Sequence, residues 1–185
     1  MTPSIMEDRQ QPLAKRYEND PARAWVTDVA WTTGALDDPL HGAVVLGPEG
    51  TGTCPIAVHR AVGGDGDGPV PGDILCAALA SCLDSTLRVV ADRFRVTLAA
   101  LSIRVTAEVD VRGTLCLDPN VPVAFQRMTV SVDLELAEGT APRMYARLLE
   151  TAEHCCVVLQ TLRRGVPVAL NLVRDGRDAN VAATG

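Results

Sequence analysis

Two stretches in the middle of the chain alternate between apolar and polar residues. In residues 101–111 an apolar side chain stands at every second position, with Arg104, Thr106 and Glu108 between them, and residues 128–136 repeat this period of two. Successive side chains of a strand point to opposite faces of a sheet, so each stretch is predicted to be a half-exposed strand. We expect the two strands to pair with each other in antiparallel fashion.

Three shorter stretches near the N-terminus carry a weaker strand pattern. Residues 24–31 alternate imperfectly and carry Thr, Val and Trp, and residues 42–46 and 55–61 are two further short apolar stretches; turn signals rich in Gly and Pro separate the three. A three-stranded meander is the simplest arrangement for them.

Helical spacing of apolar residues follows Pro71. From there to about Ala91 the pattern predicts a long helix with Asp73 as its N-cap, and its apolar residues cover so much of the surface that it should be central. A second helix is predicted from residue 143 to about 156, with Thr140 as cap, and a last strand over residues 166–173.

The order of these elements predicts an α+β fold, in which two long helices cover antiparallel sheets. We expect one domain over residues 23–175. Residues 1–22 combine charge with few branched apolar side chains, and are predicted to form a flexible N-terminal arm. Residues 176–185 are predicted to form a flexible C-terminal tail.

Composition and charge exclude several classes of partner. The formal net charge is −6 and the basic residues are scattered, whereas a nucleic-acid surface needs a clustered positive patch. The longest apolar run, which begins at Ile74, is interrupted by Ser81 and Asp84, and is therefore expected to be too short for a membrane span. Residues 1–20 have no apolar signal-peptide centre, so a cytoplasmic location is expected.

The chain has six cysteines, and without a signal segment this number favours reduced thiols and leaves room for one redox pair. There is no CxxC spacing, and the three histidines form no metal-binding array, so we expect no metal. The acidic, glycine-rich residues 63–69 lack the terminal Glu of a calcium loop and are predicted to be a solvated linker. The cysteines are Cys54, Cys76, Cys82, Cys116, Cys155 and Cys156.

Two cysteines in predicted helices are the smallest group that could do chemistry. If the fold brings Cys82 close to Cys156, one thiol can attack an oxidant and the other can resolve the product as a disulfide. If it does not, both are ordinary small core residues, which from the helix alone is the simpler interpretation of Cys82. A reactive Cys82 needs a cation from elsewhere in the fold or from a second subunit. His154 could hydrogen-bond a thiolate, although a solvent-facing histidine fits the helix end equally well.

Two segments resemble the signatures of the OsmC/Ohr family of thiol-dependent hydroperoxide reductases. In residues 71–82, Pro71 is followed by a Leu- and Ala-rich turn and then by Cys82 at the place of the peroxidatic cysteine. In residues 156–162, Cys156 ends the second helix and is followed by Val-Val-Leu-Gln-Thr-Leu. The resemblance spans roughly residues 25–173, and is greater to the general OsmC-like branch than to the organic-hydroperoxide branch.

The resemblance implies an OsmC-like fold in an intertwined homodimer, with the long helices at its centre. It further implies that the Cys82 thiolate attacks hydrogen peroxide or an organic hydroperoxide to give a sulfenic acid. Cys156, rather than Cys155, then forms a disulfide with Cys82, and an external dithiol reduces that bond. No cofactor is implied, neither a metal nor a flavin.

The sequence departs from the organic-hydroperoxide branch at the positions that activate the thiol. In that branch a Glu follows the Pro of the first signature and an Arg in the first hairpin pairs with it. Here Gly72 takes the Glu position, Asp73 follows it, and the turn at residues 32–38 has no Arg. Arg23 and Arg60 are candidates to replace the missing Arg as the cation that activates Cys82. The alternative for each of them is an exposed, solvated charge without this role. The alternative function is a non-catalytic, small-ligand-binding or structural dimer.

Overall fold

The computed structural model describes residues 4–174 and 177–179, and within them it is an α+β protein. The helices are α1 Ile5–Asn19, α2 Pro71–Arg93, α3 Val111–Thr114, α4 Arg143–Cys155 and α5 Val157–Arg164, with short 3-10 turns at Pro21–Ala24 and Arg60–Val62. The strands are β1 Ala30–Thr33, β2 His41–Leu46, β3 Gly52–Ala57, β4 Leu98–Glu108, β5 Arg127–Leu136, β6 Leu172–Arg174 and β7 Arg177–Ala179.

The predicted N-terminal meander is confirmed. β1, β2 and β3 form an antiparallel sheet in that order, in which Trp31 lies opposite Val45 and Val44 opposite Cys54. The first strand begins at Ala30 rather than at residue 24, because the chain first makes a 3-10 turn that starts at a proline.

The predicted pairing of the two alternating strands is also confirmed. β4 and β5 form a two-stranded antiparallel sheet, with Ile103 opposite Val132 and Val105 opposite Val130. The face that carries these apolar residues packs against the core, and the polar face is exposed. β4 ends at Glu108, before residue 111, because the Asp110 carboxylate accepts a hydrogen bond from the Arg112 N–H and begins α3.

The long helix α2 is the centre of the core. It contacts α1, β4, α4 and α5, and its inner face is buried at every turn. The prediction of Asp73 as N-cap is wrong by position, because the helix begins at Pro71. Asp73 is the third helical residue, and its carboxylate accepts a 3.0 Å hydrogen bond from the Val70 N–H. The buried residues of the inner face are Leu79, Leu83, Leu87, Val90 and Ala91.

By length and composition α2 could also cross a membrane, which corrects the expectation that its apolar run is too short. Core helices of folded proteins meet the same criterion. In the part of the chain that the structure describes, α2 packs against a sheet and three other helices. These contacts favour a core helix.

The second predicted helix is divided in two. α4 ends at Cys155, Cys156 has an extended backbone with φ −74° and ψ 106°, and α5 follows directly. Thr140 does not cap α4, because its hydroxyl donates to the Ala137 carbonyl. The expected last strand over residues 166–173 is reduced to β6. Among the described residues α2 is the one long helix at the centre of the core, so the second long central helix and the homodimer stay predictions.

The predicted N-terminal arm contains a helix. Ile5–Asn19 is a helix, with the Ser4 hydroxyl accepting from the Glu7 N–H as its N-cap. At the other end, the pair β6 and β7 reaches into the predicted C-terminal tail. Residues 176 and 180–185 of that tail lie outside the described residues, and the predicted domain limits stay a prediction.

Candidate active site

The fold brings together the two cysteines that the sequence singles out. Cys82 is held on the middle of α2, and Cys156 lies at the break between α4 and α5, where the extended backbone turns its side chain toward α2. The Cys156 thiol donates a hydrogen bond to Cys82 across a sulfur to sulfur distance of 3.3 Å. Both cysteines are free thiols, and a disulfide needs their sulfurs to approach to about 2.05 Å.

The two thiols differ in their exposure to solvent. Cys156 is fully buried, in the same cluster as Leu79, Leu148 and Ala152. Cys82 is only half-buried and packs against the edge of that cluster. Of the two cysteines, Cys82 is therefore the more accessible from solvent.

Burial keeps Cys156 in its neutral form. Loss of hydration raises the pKa of the Cys156 thiol above its ordinary value. The backbone N–H of Leu159, in the first turn of α5, lowers that pKa, the adjacent Cys82 sulfur raises it, and the Val158 N–H lowers it slightly. Because the raising influences dominate, Cys156 carries a proton at neutral pH.

Neither substitute cation lies at the thiol pair. Arg23 Nε binds the Asp20 carboxylate at 2.9 Å, and Arg60 Nη2 donates to the Asp65 carbonyl at 2.8 Å. His154 is an exposed residue in the last turn of α4. Among the hydrogen bonds of the described residues, the bond from Cys156 is the one that Cys82 Sγ accepts.

The Phe125 ring lies close to Gly72 and limits the side chains that fit there. A Cβ added to Gly72 would lie 3.0 Å from Phe125 Cζ, closer than nearly all real contacts of this kind. A glutamate at this position therefore requires the ring to move. Nothing in the sequence pattern indicates this contact, because Phe125 lies in an irregular loop 53 residues further along the chain.

A cavity of about 580 Å³ lies beside this glycine, at the N-terminal end of α2. Its lining is mostly apolar, and it includes a second half-buried thiol, Cys76, but not Cys82. Burial, and then the nearby Asp73 carboxylate, raise the pKa of Cys76. No local sequence pattern indicates this cavity, since its wall combines α2, β4, α3 and two loops. Its polar lining residues include His59, Asp73, Thr106 and Thr114.

A second polar cluster lies on the surface. His41 Nδ1 is 2.9 Å from Asp38 Oδ2, and His41 Nε2 is 3.1 Å from Asp67 Oδ2. The hydrogen bonds to Asp38 and then to Asp67 raise the pKa of His41. His41, Asp65 and Asp67 are close enough to one another to hold a metal ion, although all three are exposed. The residues come from different turns of the chain, so no sequence spacing indicated the cluster.

Comparisons with known proteins agree on one family. Residues 64–171, more than half of the chain, match the family model described as OsmC-like protein. The range includes both cysteines of the thiol pair. The sequence matches no curated protein.

Solved structures with this fold have low sequence identity to the chain. An OsmC-like protein of unknown function from Vibrio cholerae superposes with a TM-score of 0.61 at 10% identity, covering 74% of this chain and 94% of that one. An organic hydroperoxide resistance protein from Elizabethkingia anophelis gives 0.56 at 18% identity, with 76% and 91% covered. The organic hydroperoxide resistance protein OsmC from Legionella pneumophila gives 0.55 at 20% identity, with 75% and 90% covered.

Proposed function

Because this chain belongs to the OsmC-like protein family, we propose that it is a thiol-dependent peroxidase, which reduces hydrogen peroxide or organic hydroperoxides through Cys82 and Cys156. The observation that carries the proposal is the 3.3 Å distance between the two sulfurs. Two of the superposed structures are named organic hydroperoxide resistance proteins, which is consistent with this chemistry.

In the first step the Cys82 thiolate attacks the outer peroxide oxygen. An S–O bond forms, the O–O bond breaks, and the leaving alkoxide takes a proton from solvent to become an alcohol, or water when the substrate is hydrogen peroxide. Cys82 becomes a sulfenic acid, oxidised by two electrons. Its greater exposure supports Cys82 as the attacking thiol, since Cys156 is fully buried.

In the second step Cys156 attacks the sulfenic sulfur. A disulfide forms between Cys156 and Cys82 and one water leaves, made of the sulfenic hydroxyl and the Cys156 proton. An external dithiol then reduces the disulfide and is itself oxidised to a disulfide. We place the protein in the cytoplasm, where dithiol reductants keep such thiols reduced.

The proposal includes a homodimer, supported by apolar surface left uncovered in one chain. Trp25 is 87% exposed, and Val168 and Leu170 are 86% and 84% exposed. A second copy covering these residues would remove a large apolar area from water. Size-exclusion chromatography with light scattering tests this part separately, because a monomeric mass would contradict it.

The test of the peroxidase is a titration with stoichiometric peroxide. One equivalent should remove two of the six free thiols, and peptide mapping should place the new bond between Cys82 and Cys156. Cys82→Ser should consume no peroxide, and Cys156→Ser should stop at a sulfenic acid that dimedone traps. The exposed neighbour Cys155→Ser is the matched control and should behave as wild type. Peroxide loss at the wild-type rate in Cys82→Ser would contradict the assignment.

The cavity beside Gly72 favours one alternative, a small-ligand-binding role without catalysis. Its mostly apolar lining and its few polar groups suit a small apolar molecule. Native mass spectrometry of the freshly purified protein should then find a bound molecule, and Cys82 should alkylate no faster than an unfolded-state thiol. An empty protein whose Cys82 reacts with peroxide excludes this role.

A further inference from the structure

We propose that Cys156 has a second task, which precedes disulfide formation: its S–H group is the hydrogen-bond donor that stabilises the Cys82 thiolate. The inference rests on the proposed function, in which Cys82 is the attacking thiol. A neutral side chain then stabilises the Cys82 thiolate, a role that the sequence led us to expect from a cation.

The geometry at the pair supports this direction of donation. Cys156 Sγ donates to Cys82 Sγ at 3.3 Å, a distance at which two thiols are hydrogen-bonded but not joined. Cys156 is held in place because it lies directly between α4 and α5 and is fully buried. A donor fixed by the fold loses little freedom when the Cys82 proton departs, so it can favour the charged form of Cys82.

The proton distribution within the pair follows from the difference in burial. Two thiols in contact cannot both ionise without strong repulsion between their charges, so the first proton leaves the better hydrated sulfur. Cys82 is half-buried and Cys156 fully buried. Burial also raises the pKa of Cys156, which keeps its proton available for donation.

The charged groups on the elements around the pair are paired with one another or face solvent. On α2, Asp84 binds Arg88 at 2.6 Å, and Asp92 binds Ser4. On α4 and α5, Glu153 binds Arg163. Among the described residues, this leaves the Cys156 thiol as the donor in contact with Cys82. The other charged groups of these three helices are exposed, namely Asp73, Arg93, Arg143, Arg147, Glu150, His154 and Arg164.

The donor role fits the order of the two chemical steps. While Cys82 is a thiolate, the Cys156 proton lies in the bond between the sulfurs, and Cys156 is not a nucleophile. Once peroxide has converted Cys82 into a sulfenic acid, the negative charge is gone and the hydrogen bond weakens. The proton can then leave with the sulfenic hydroxyl as water while the S–S bond forms. Cys156 thus becomes a nucleophile only after its target exists.

The test is the pH dependence of Cys82 alkylation, which needs no peroxide. Iodoacetamide modification is followed at the Cys82 peptide by mass spectrometry, in the wild type and in Cys156→Ala, Cys156→Ser and Cys155→Ala. Loss of this donor should lower the alkylation rate of Cys82 at pH 7 about tenfold in Cys156→Ala. Cys156→Ser keeps a donor and should stay near the wild-type profile, as should the control Cys155→Ala.

Two results would overturn the proposal. One is a Cys156→Ala profile that coincides with the wild type, and the other is a Cys156→Ser profile that shifts as far as Cys156→Ala. Cys156→Val, which fills the site without a donor, repeats the measurement if the alanine variant does not fold. If Cys82 of the wild type does not react with peroxide, the proposed function is wrong. The alkylation profiles still decide whether Cys156 is the hydrogen-bond donor to Cys82.

Discussion

The Ser4 hydroxyl donates a 2.6 Å hydrogen bond to the carboxylate of Asp92, which lies 88 positions away near the end of α2. The same carboxylate accepts from the Met6 N–H at 2.7 Å. One side chain of α2 therefore holds the first turn of α1.

From this contact we predict that Asp92→Ala frees α1. A helix that loses its anchoring hydrogen bonds opens more often, and trypsin should cleave at Lys15 and Arg16 about fivefold faster. Asp84→Ala is the matched control, because Asp84 is on the same helix but binds Arg88. Equal cleavage of the two variants would show that Asp92 does not hold α1.

The same contact predicts a loss of α1 docking in acid. The hydrogen bond from Ser4, and then that from Met6, hold the pKa of Asp92 below its ordinary value. A carboxyl group with a lowered pKa in the folded state stabilises that state above its unfolded pKa of about 3.9, and loses this contribution as pH falls through the folded value. The protection factors of the α1 amides, which are exchange rates corrected for the intrinsic pH dependence, should therefore fall below about pH 4 in the wild type, and be independent of this titration in Asp92→Asn.

Leu148 should couple the stability of the core to the thiol pair. It is fully buried on α4 in the cluster that contains Cys156. Leu148→Ala is expected to lower the free energy of unfolding by about 2–5 kcal/mol and to slow formation of the disulfide, since the cavity loosens the support of Cys156. Leu149→Ala, on the exposed side of the same helix, should change both quantities much less. Chemical denaturation measures the free energy of unfolding, and counting free thiols over time measures the rate of disulfide formation.

Phe125 should oppose any side chain at position 72. Gly72→Glu is expected to destabilise the protein by about 1–3 kcal/mol, because its Cβ meets the Phe125 ring at 3.0 Å. Adding Phe125→Ala should remove most of that cost, so the double-mutant cycle should show clear coupling. Additive effects in denaturant titrations would mean that the ring already moves aside freely.

The thiol pair lies within one chain, so a mixture of Cys82→Ser and Cys156→Ser subunits should not regain turnover. Subunits are mixed under mild denaturant, refolded and assayed for peroxide reduction with a dithiol. Restored activity would show that Cys82 of one subunit pairs with Cys156 of the other, which contradicts the 3.3 Å intrachain contact.

The strands and the long helix could be predicted because their signals are local. The period of two in β4 and β5 predicts both the exposed face and the pairing. The apolar spacing of α2 predicts the helix correctly although the predicted N-cap residue is wrong. The sequence singles out the two cysteines as candidates, but their roles came only from the resemblance of two motifs, since no spacing indicates that residues 74 positions apart meet.

What the sequence did not reveal has other causes, and one of them is a partner distant in the sequence. α1 has few apolar residues, and its cap is held by Asp92, which no local pattern reveals. The break between α4 and α5 falls at Cys156 without a Gly or Pro to mark it. Phe125 fills the space beside Gly72 from a loop whose path the sequence leaves open.

The position of Cys156 at this break also links oxidation to thermal stability. A bond from Cys156 to Cys82 would close a loop between residues 74 positions apart and fasten the α4–α5 corner to α2. By the chain-entropy model, a loop of this length restricts the unfolded chain enough to stabilise the fold by about 4 kcal/mol. The oxidised protein should therefore melt at a higher temperature than the reduced one, and an ordinary thermal melt becomes a readout of its redox state.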